Sequence, residues 1–464
     1  MLGSAGPDTA AGPAGRAAGG AVPAEPPAAP AARRNQAFAA GIVVVALVAV
    51  VLVAVFTNGD DGSVPAAATT TGVTTSASSS GQPSDDALNL LKAQAAALLR
   101  GDEPGWLAAG VPGVVSTHDF LVKRFRMLTG LHISQLNYDF LGLPYVRPGD
   151  QTFSADVMEG VCFSMSSCPA PVTSLGVPIG GPKIIEQFNF KLVGGHYLID
   201  TVATAKESAK GQPMPWEQGD LVIAQGKRVT VAASPGAAKR ITEAVAAADQ
   251  AAVVADRFAG LLHNPVGRYR VYLADDKNWK IWFGGAPEKG VSGVTQLLNE
   301  VQAEVVIKIS DNGPRAELEN TIQHEMGHVV SLGHRNKTGN DYVFRQPGRW
   351  LSEGFAEYVA YYPRPATSSD RRAAVHQLMR SRDVPRIISN ENLGRTDADE
   401  NKFYGFSHFA VDCMAHLYGE PKMLKFVTLE LRDLKDDDEA MSQAFGRSYQ
   451  TVNKSCMSWI KAHA

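Results

Sequence analysis

The sequence predicts an α+β protein carried on a single N-terminal transmembrane helix. Three observations lead there: an unbroken apolar run at residues 37–56, a helical period followed by four short strand-like stretches between 85 and 202, and long helical periods interleaved with strands from Val229 onward. A length of 464 residues allows about three domains. The net charge of −3 gives no reason to expect a nucleic-acid or lipid-head-group partner.

Residues 1–36 are mostly Ala, Gly and Pro, with Arg16, Arg33 and Arg34 as the positive charges. Such a stretch has too little apolar surface to fold, so a disordered tail is expected. The run at 37–56 has the length that crosses a bilayer as a helix. Arg33 and Arg34 flank it on one side, Asp60 and Asp61 on the other. That bias places the N-terminus in the cytoplasm and the rest of the chain outside, as a single-pass plasma-membrane protein. A cleaved signal peptide would have a shorter apolar core and leading region and a small-x-small site, none of which fits. Residues 57–83, rich in Ser, Thr, Ala and Gly, read as a flexible stalk.

A first domain is expected over 84–225. Ser84 is a plausible N-cap for a helix over 85–100, with Leu88, Leu91, Ala95 and Leu98 on one face and Gly101 at its end. Strands follow at 135–141, 153–158, 186–192 and 197–202. His118, Asp119, His132 and His196 form no catalytic pattern, and a packing or presentation module is the favoured reading.

The second domain, 226–464, opens with a helical period over 237–262 broken by Asn264-Pro265, then strands at 269–273 and 305–309. A turn at 311–314 leads into a helix over 315–332, with Leu318, Ile322, Met326, Val329 and Val330 as its apolar stripe and Gly333 as its stop. This helix carries His324-Glu325-Met326-Gly327-His328. Residues four apart share a helix face, so His324 and His328 can present two imidazoles to one ion. Glu325 beside them can reach a water on that ion. The bland alternative is a helix with two surface histidines and an ordinary glutamate.

Catalytic zinc takes three protein ligands and keeps one position open, so a third must come from elsewhere. His334 stands where a longer three-histidine pattern has its last ligand, yet Ser331 occupies the position where that pattern needs glycine. The other candidate is Glu353, in Trp350-Leu351-Ser352-Glu353-Gly354-Phe355-Ala356-Glu357-Tyr358. That segment reads as a helix ended by Pro363 and Pro365, with Glu353 and Glu357 on one face. One can ligate zinc while the other accepts the ring N–H of a ligating histidine, which favours Glu353.

HExxH followed by W-L-x-E-G-x-A-x-Y resembles the gluzincin (peptidase MA-like) branch of zinc metallopeptidases, above all bacterial membrane-anchored proteins with an extracytoplasmic zincin domain. The resemblance covers about residues 324–362. It implies one catalytic zinc ion held by His324, His328 and Glu353, Glu325 as general base, and Glu357 holding a histidine in place. It also implies a tyrosine or histidine from the C-terminal helices as donor to the reaction's oxyanion; Tyr404, then His408, on a helix over 403–417, are the candidates, with core packing of Tyr404 the alternative. The strand at 305–309 would be the edge along which an extended substrate pairs. The first domain is similar in element order to cone-shaped NTF2-like domains. Together these imply zinc-dependent hydrolysis of a peptide or protein substrate; the rival is a catalytically silent cell-surface scaffold that keeps a zincin fold. Of the four cysteines, Cys162 with Cys168 and Cys413 with Cys456 are the expected bridges, all outside the membrane.

Overall fold

The computed structural model describes residues 82–464, except 143, 148, 166–172, 175–176, 179–183, 205–212, 218–219, 286–290, 299–300, 311–312, 334–347, 383, 386–387 and 389–396. The expected tail and transmembrane helix, nearly all of the stalk, and His334 lie outside the described residues. Among those described, no helix is long and apolar enough to cross a membrane.

The fold is α+β. Helices α1 (Pro83–Leu99), α2 (Glu103–Leu107) and α3 (Val115–Gly130) precede a sheet of β1 (Ile133–Phe140), β2 (Thr152–Phe163), β5 (Ile185–Val193) and β6 (His196–Thr204), with a small hairpin β3 (Thr173–Ser174) and β4 (Val177–Pro178) between. The sheet order is β1-β2-β5-β6, antiparallel throughout. The N-cap of α1 is Gln82 rather than Ser84, because Pro83 takes the first helical position, where its missing N–H is no loss. His132 and His196 find local partners in Gln225 and Asp86, and His118 sits exposed beside Asp119.

The second sheet gathers β7 (Val222–Gln225), β8 (Val229–Ala233), β9 (Tyr269–Ala274), β10 (Gly293–Leu297) and β11 (Ala303–Lys308), in the order β10-β11-β9-β8-β7. Strands β8, β9 and β11 run parallel, and β7 and β10 are antiparallel edges. The strand expected at 305–309 to be the substrate edge is therefore an interior strand. Val305, Val306 and Ile307 are at most 2% exposed, the continuous apolar run of a strand covered on both faces. The edge is β10.

Helix α4 (Ile241–Leu261) joins β8 to β9, the one-turn α5 (Asp276–Trp279) follows β9, and α6 (Arg315–Leu332) follows β11. The two sheets share a core: Trp216 stacks edge-on to Phe163 at 5.1 Å and Tyr272 to Phe283 at 6.1 Å. The Gln302 side chain bonds both the N–H and the C=O of Phe163. Helices α7 (Arg349–Tyr361), α8 (Arg372–Arg380), α9 (Asp397–Tyr418), α10 (Glu420–Leu431), α11 (Asp437–Phe445) and α12 (Tyr449–His463) complete the chain. A Cys413–Cys456 disulfide ties α9 to α12. Cys162 is also disulfide-bonded; Cys168, its expected partner, lies outside the described residues.

Candidate metal centre

The site is made where α6, α7 and α9 cross, and glycines let them approach. A Cβ on Gly327 would stand 2.9 Å from Ala356 Cα, closer than packed atoms allow, so α6 and α7 touch backbone to backbone at this point. A Cβ on Gly354 would strike the Ser407 carbonyl, which sets α7 equally close to α9. Gln323 Nε2 donates to the Val359 carbonyl at 2.7 Å, pinning the two helices in register. Asn264 Nδ2 bonds the Val330 carbonyl at 2.8 Å at the end of α6. The apolar stripe expected from sequence is buried: Ile322, Met326 and Val330 are 0% exposed.

This packing brings together the two histidines of α6 and the first glutamate of α7. Glu353 Oε2 lies 3.2 Å from His324 Nε2 and 3.3 Å from His328 Nε2. One ligand atom from each of the three falls within 4.8 Å of the others, and among the described residues this is the only such group of three or more. A tetrahedral ion with bonds of about 2.0–2.1 Å holds its ligand atoms about 3.3–3.4 Å apart. The two His–Glu spacings are compatible with that, and two imidazoles with one carboxylate could hold a divalent metal ion such as zinc.

Each imidazole is oriented from behind through its other nitrogen. His324 Nδ1 pairs with Glu357 Oε1 at 3.1 Å, and Ser352 Oγ lies 3.2 Å from His328 Nδ1. These contacts turn both Nε2 atoms toward Glu353, where a metal ion could be held. Glu357 is 1% exposed and is anchored on its second oxygen by Arg371 Nε at 3.1 Å. Burial alone would raise its pKa, but His324 and Arg371 hold it down to about 2, so the buried carboxylate stays charged. Glu353 is likewise kept well below the usual carboxylate range, the two histidines outweighing burial. Burial would lower the His324 pKa, and its bonds to Glu353 and Glu357 instead raise it to about 10.

Glu325 is 5% exposed and points to the edge strand, where Thr295 Oγ1 donates to its Oε2 at 2.7 Å. Tyr404 borders the cluster: its ring is 5.8 Å from that of His324 and has the Arg371 guanidinium 5.2 Å and the Arg349 guanidinium 6.0 Å from its centroid. Arg349 is ion-paired with Glu400 at 3.0 Å. Burial and the charge of Glu353 push the phenol pKa well above its ordinary value, which keeps the hydroxyl protonated and able to donate. His408, one turn further along α9, is 0% exposed and packs 5.3 Å from the Tyr361 ring. Among the described residues neither of its nitrogens has a hydrogen-bond partner. Burial lowers its pKa to about 4, leaving a neutral ring behind Glu357 rather than a donor at the ligand cluster.

Of the residues singled out from sequence, His324, Glu325, His328, Glu353, Glu357 and Tyr404 meet here, and His408 stands behind them. Thr295, Ser352, Arg349 and Arg371 escaped notice. Ser352 adjoins Glu353 in the motif and was open to recognition; Thr295 and Arg371 lie on other elements, and only folding brings them in. Compared with known proteins, the chain matches no protein-family model and no curated protein sequence.

Proposed function

We propose that this chain is a gluzincin-type zinc peptidase, anchored by the apolar run at 37–56 and working outside the membrane, with a membrane-proximal domain of NTF2-like form. The observation that carries the reading is the convergence of His324 Nε2, His328 Nε2 and Glu353 Oε2 at ligand spacing, beside a glutamate that is not itself a ligand.

Zinc bound by these three residues would supply a Lewis acid and a water acidified to near neutrality. The residues divide the remaining work. Glu325 accepts a proton from the attacking water and returns it to the departing nitrogen. Glu357 and Ser352 fix the imidazoles so that their Nε2 lone pairs face inward. Tyr404 offers its O–H to the negative oxygen of the tetrahedral intermediate. Strand β10 gives an extended substrate an edge to pair with.

The test is zinc stoichiometry and peptide turnover for the wild type beside Glu353→Ala and Glu325→Gln. One zinc in the wild type, lost in Glu353→Ala and kept without turnover in Glu325→Gln, supports the reading. Absence of zinc after metal supply in all three would replace it with the silent-scaffold reading.

A further inference from the structure

The strand that faces the site does more than border it. Strand β10 is antiparallel to β11 with Gly293 opposite Ile307, Thr295 opposite Val305 and Leu297 opposite Ala303. The Lys308 N–H bonds the Ser292 carbonyl and the Leu298 N–H bonds the Gln302 carbonyl. In an antiparallel ladder the hydrogen-bonded pairs alternate with non-bonded ones. Residues 292, 294, 296 and 298 therefore turn their backbone groups toward β11, and Gly293, Thr295 and Leu297 turn theirs away from it, toward an edge with no further strand among the described residues.

The same alternation sets the faces of the strand: the Thr295 side chain and the position a Cβ on Gly293 would take lie on one face. That face meets Glu325. Thr295 Oγ1 lies 2.7 Å from Glu325 Oε2 and 3.0 Å from the Glu325 carbonyl, and a Cβ on Gly293 would fall 2.7 Å from Glu325 Oε1. One carboxylate oxygen is thus held by a hydroxyl, and the other occupies space that only a glycine leaves open.

We propose that Thr295 is a positioning residue for Glu325: its side chain holds Oε2 and so aims Oε1, while its backbone N–H and C=O form part of the edge on which an extended peptide docks. Substrate seated on β10 and the proton-accepting oxygen are then registered to one another through a single residue. Gly293 is the matching device, since any side chain there would push Oε1 aside. This inference rests on the peptidase reading for its catalytic consequence, but not for its geometry.

The experiment compares full-length wild type, Thr295→Val and Thr295→Ser, each loaded with zinc, on a mixture of internally quenched peptides, together with crystal structures of all three. Valine keeps the shape and removes the donor; serine restores it. Thr295→Val is expected to lower kcat about 10- to 100-fold with KM within about twofold of wild type, at unchanged zinc content. Thr295→Ser should recover most of kcat. The structures should show the Glu325 carboxylate rotated in Thr295→Val and in its native place in Thr295→Ser. A Thr295→Val protein with wild-type kcat and an unmoved Glu325 overturns the proposal. A wild type that binds zinc but cleaves nothing removes the peptidase reading alone, and the position of Glu325 in the valine structure then decides whether Thr295 holds it.

Discussion

Gly327 and Ala356 are the contact that sets the geometry of the candidate metal site: with 2.9 Å between a would-be Cβ and Ala356 Cα, no side chain fits between α6 and α7. The position inside HExxH that chemistry leaves undefined is therefore constrained by packing. Gly327→Ala should force the helices apart and move Glu353 away from both histidines. The expected cost is about 1–3 kcal/mol in the metal-free protein, read by denaturant unfolding, with a parallel loss of zinc affinity by titration. An alanine variant with wild-type stability and zinc affinity would show that the helices can separate without disturbing the site.

Glu357 holds His324 from behind and is itself held by Arg371. Such outer partners typically contribute 10- to 100-fold in metal affinity, so Glu357→Gln and Arg371→Met should each weaken zinc binding by roughly that factor. The two losses should not add in the double variant, since both act through one imidazole. Fully additive losses by competition with a chelator would mean that Arg371 acts elsewhere.

Tyr404 carries a phenol that stays protonated because burial and nearby carboxylates oppose its ionisation. If it donates to the intermediate, Tyr404→Phe lowers kcat by about 100- to 1000-fold while KM and zinc content change little. His408→Phe, which replaces a buried neutral ring with no hydrogen-bond partner among the described residues, should alter stability more than turnover. The reverse ranking in steady-state kinetics would exchange the two assignments.

The first domain makes a prediction about pH. Glu217 is pushed up to about 8 by burial and by the charge of Glu186. An unfolded glutamate titrates near 4.3, so between about pH 4.5 and 8 the folded chain holds a proton that the unfolded chain has lost. Stability contributed at this site is present at low pH and declines as pH rises through that window. Glu217→Gln removes the titration, and its melting temperature relative to wild type should climb from pH 5 to pH 9. A difference that is flat with pH would rule out Glu217 as the titrating group.

Local sequence patterns were enough to place helix α6 and its neighbour α7. Residues 315–332 were readable as a helix because local spacing, a turn and a glycine stop all agree, and α6 spans those same residues. The pairs His324/His328 and Glu353/Glu357 were readable because helical spacing alone places each on a common face. Contacts between segments far apart in the chain carry no such local signature. Val305–Ile307 has the apolar content of a strand, but its interior place requires pairing on both sides, with the neighbouring β10 and with β9 some thirty residues earlier. Thr295 reaches Glu325 across 30 positions and Arg371 reaches Glu357 across 14; no local period encodes either. Tyr404 and His408 share a face of α9, and only packing separates them, with one ring against His324 and the other against Tyr361. The ligands were legible because a helix repeats itself; the groups that aim them were not, because their neighbours are chosen by how helices and strands pack.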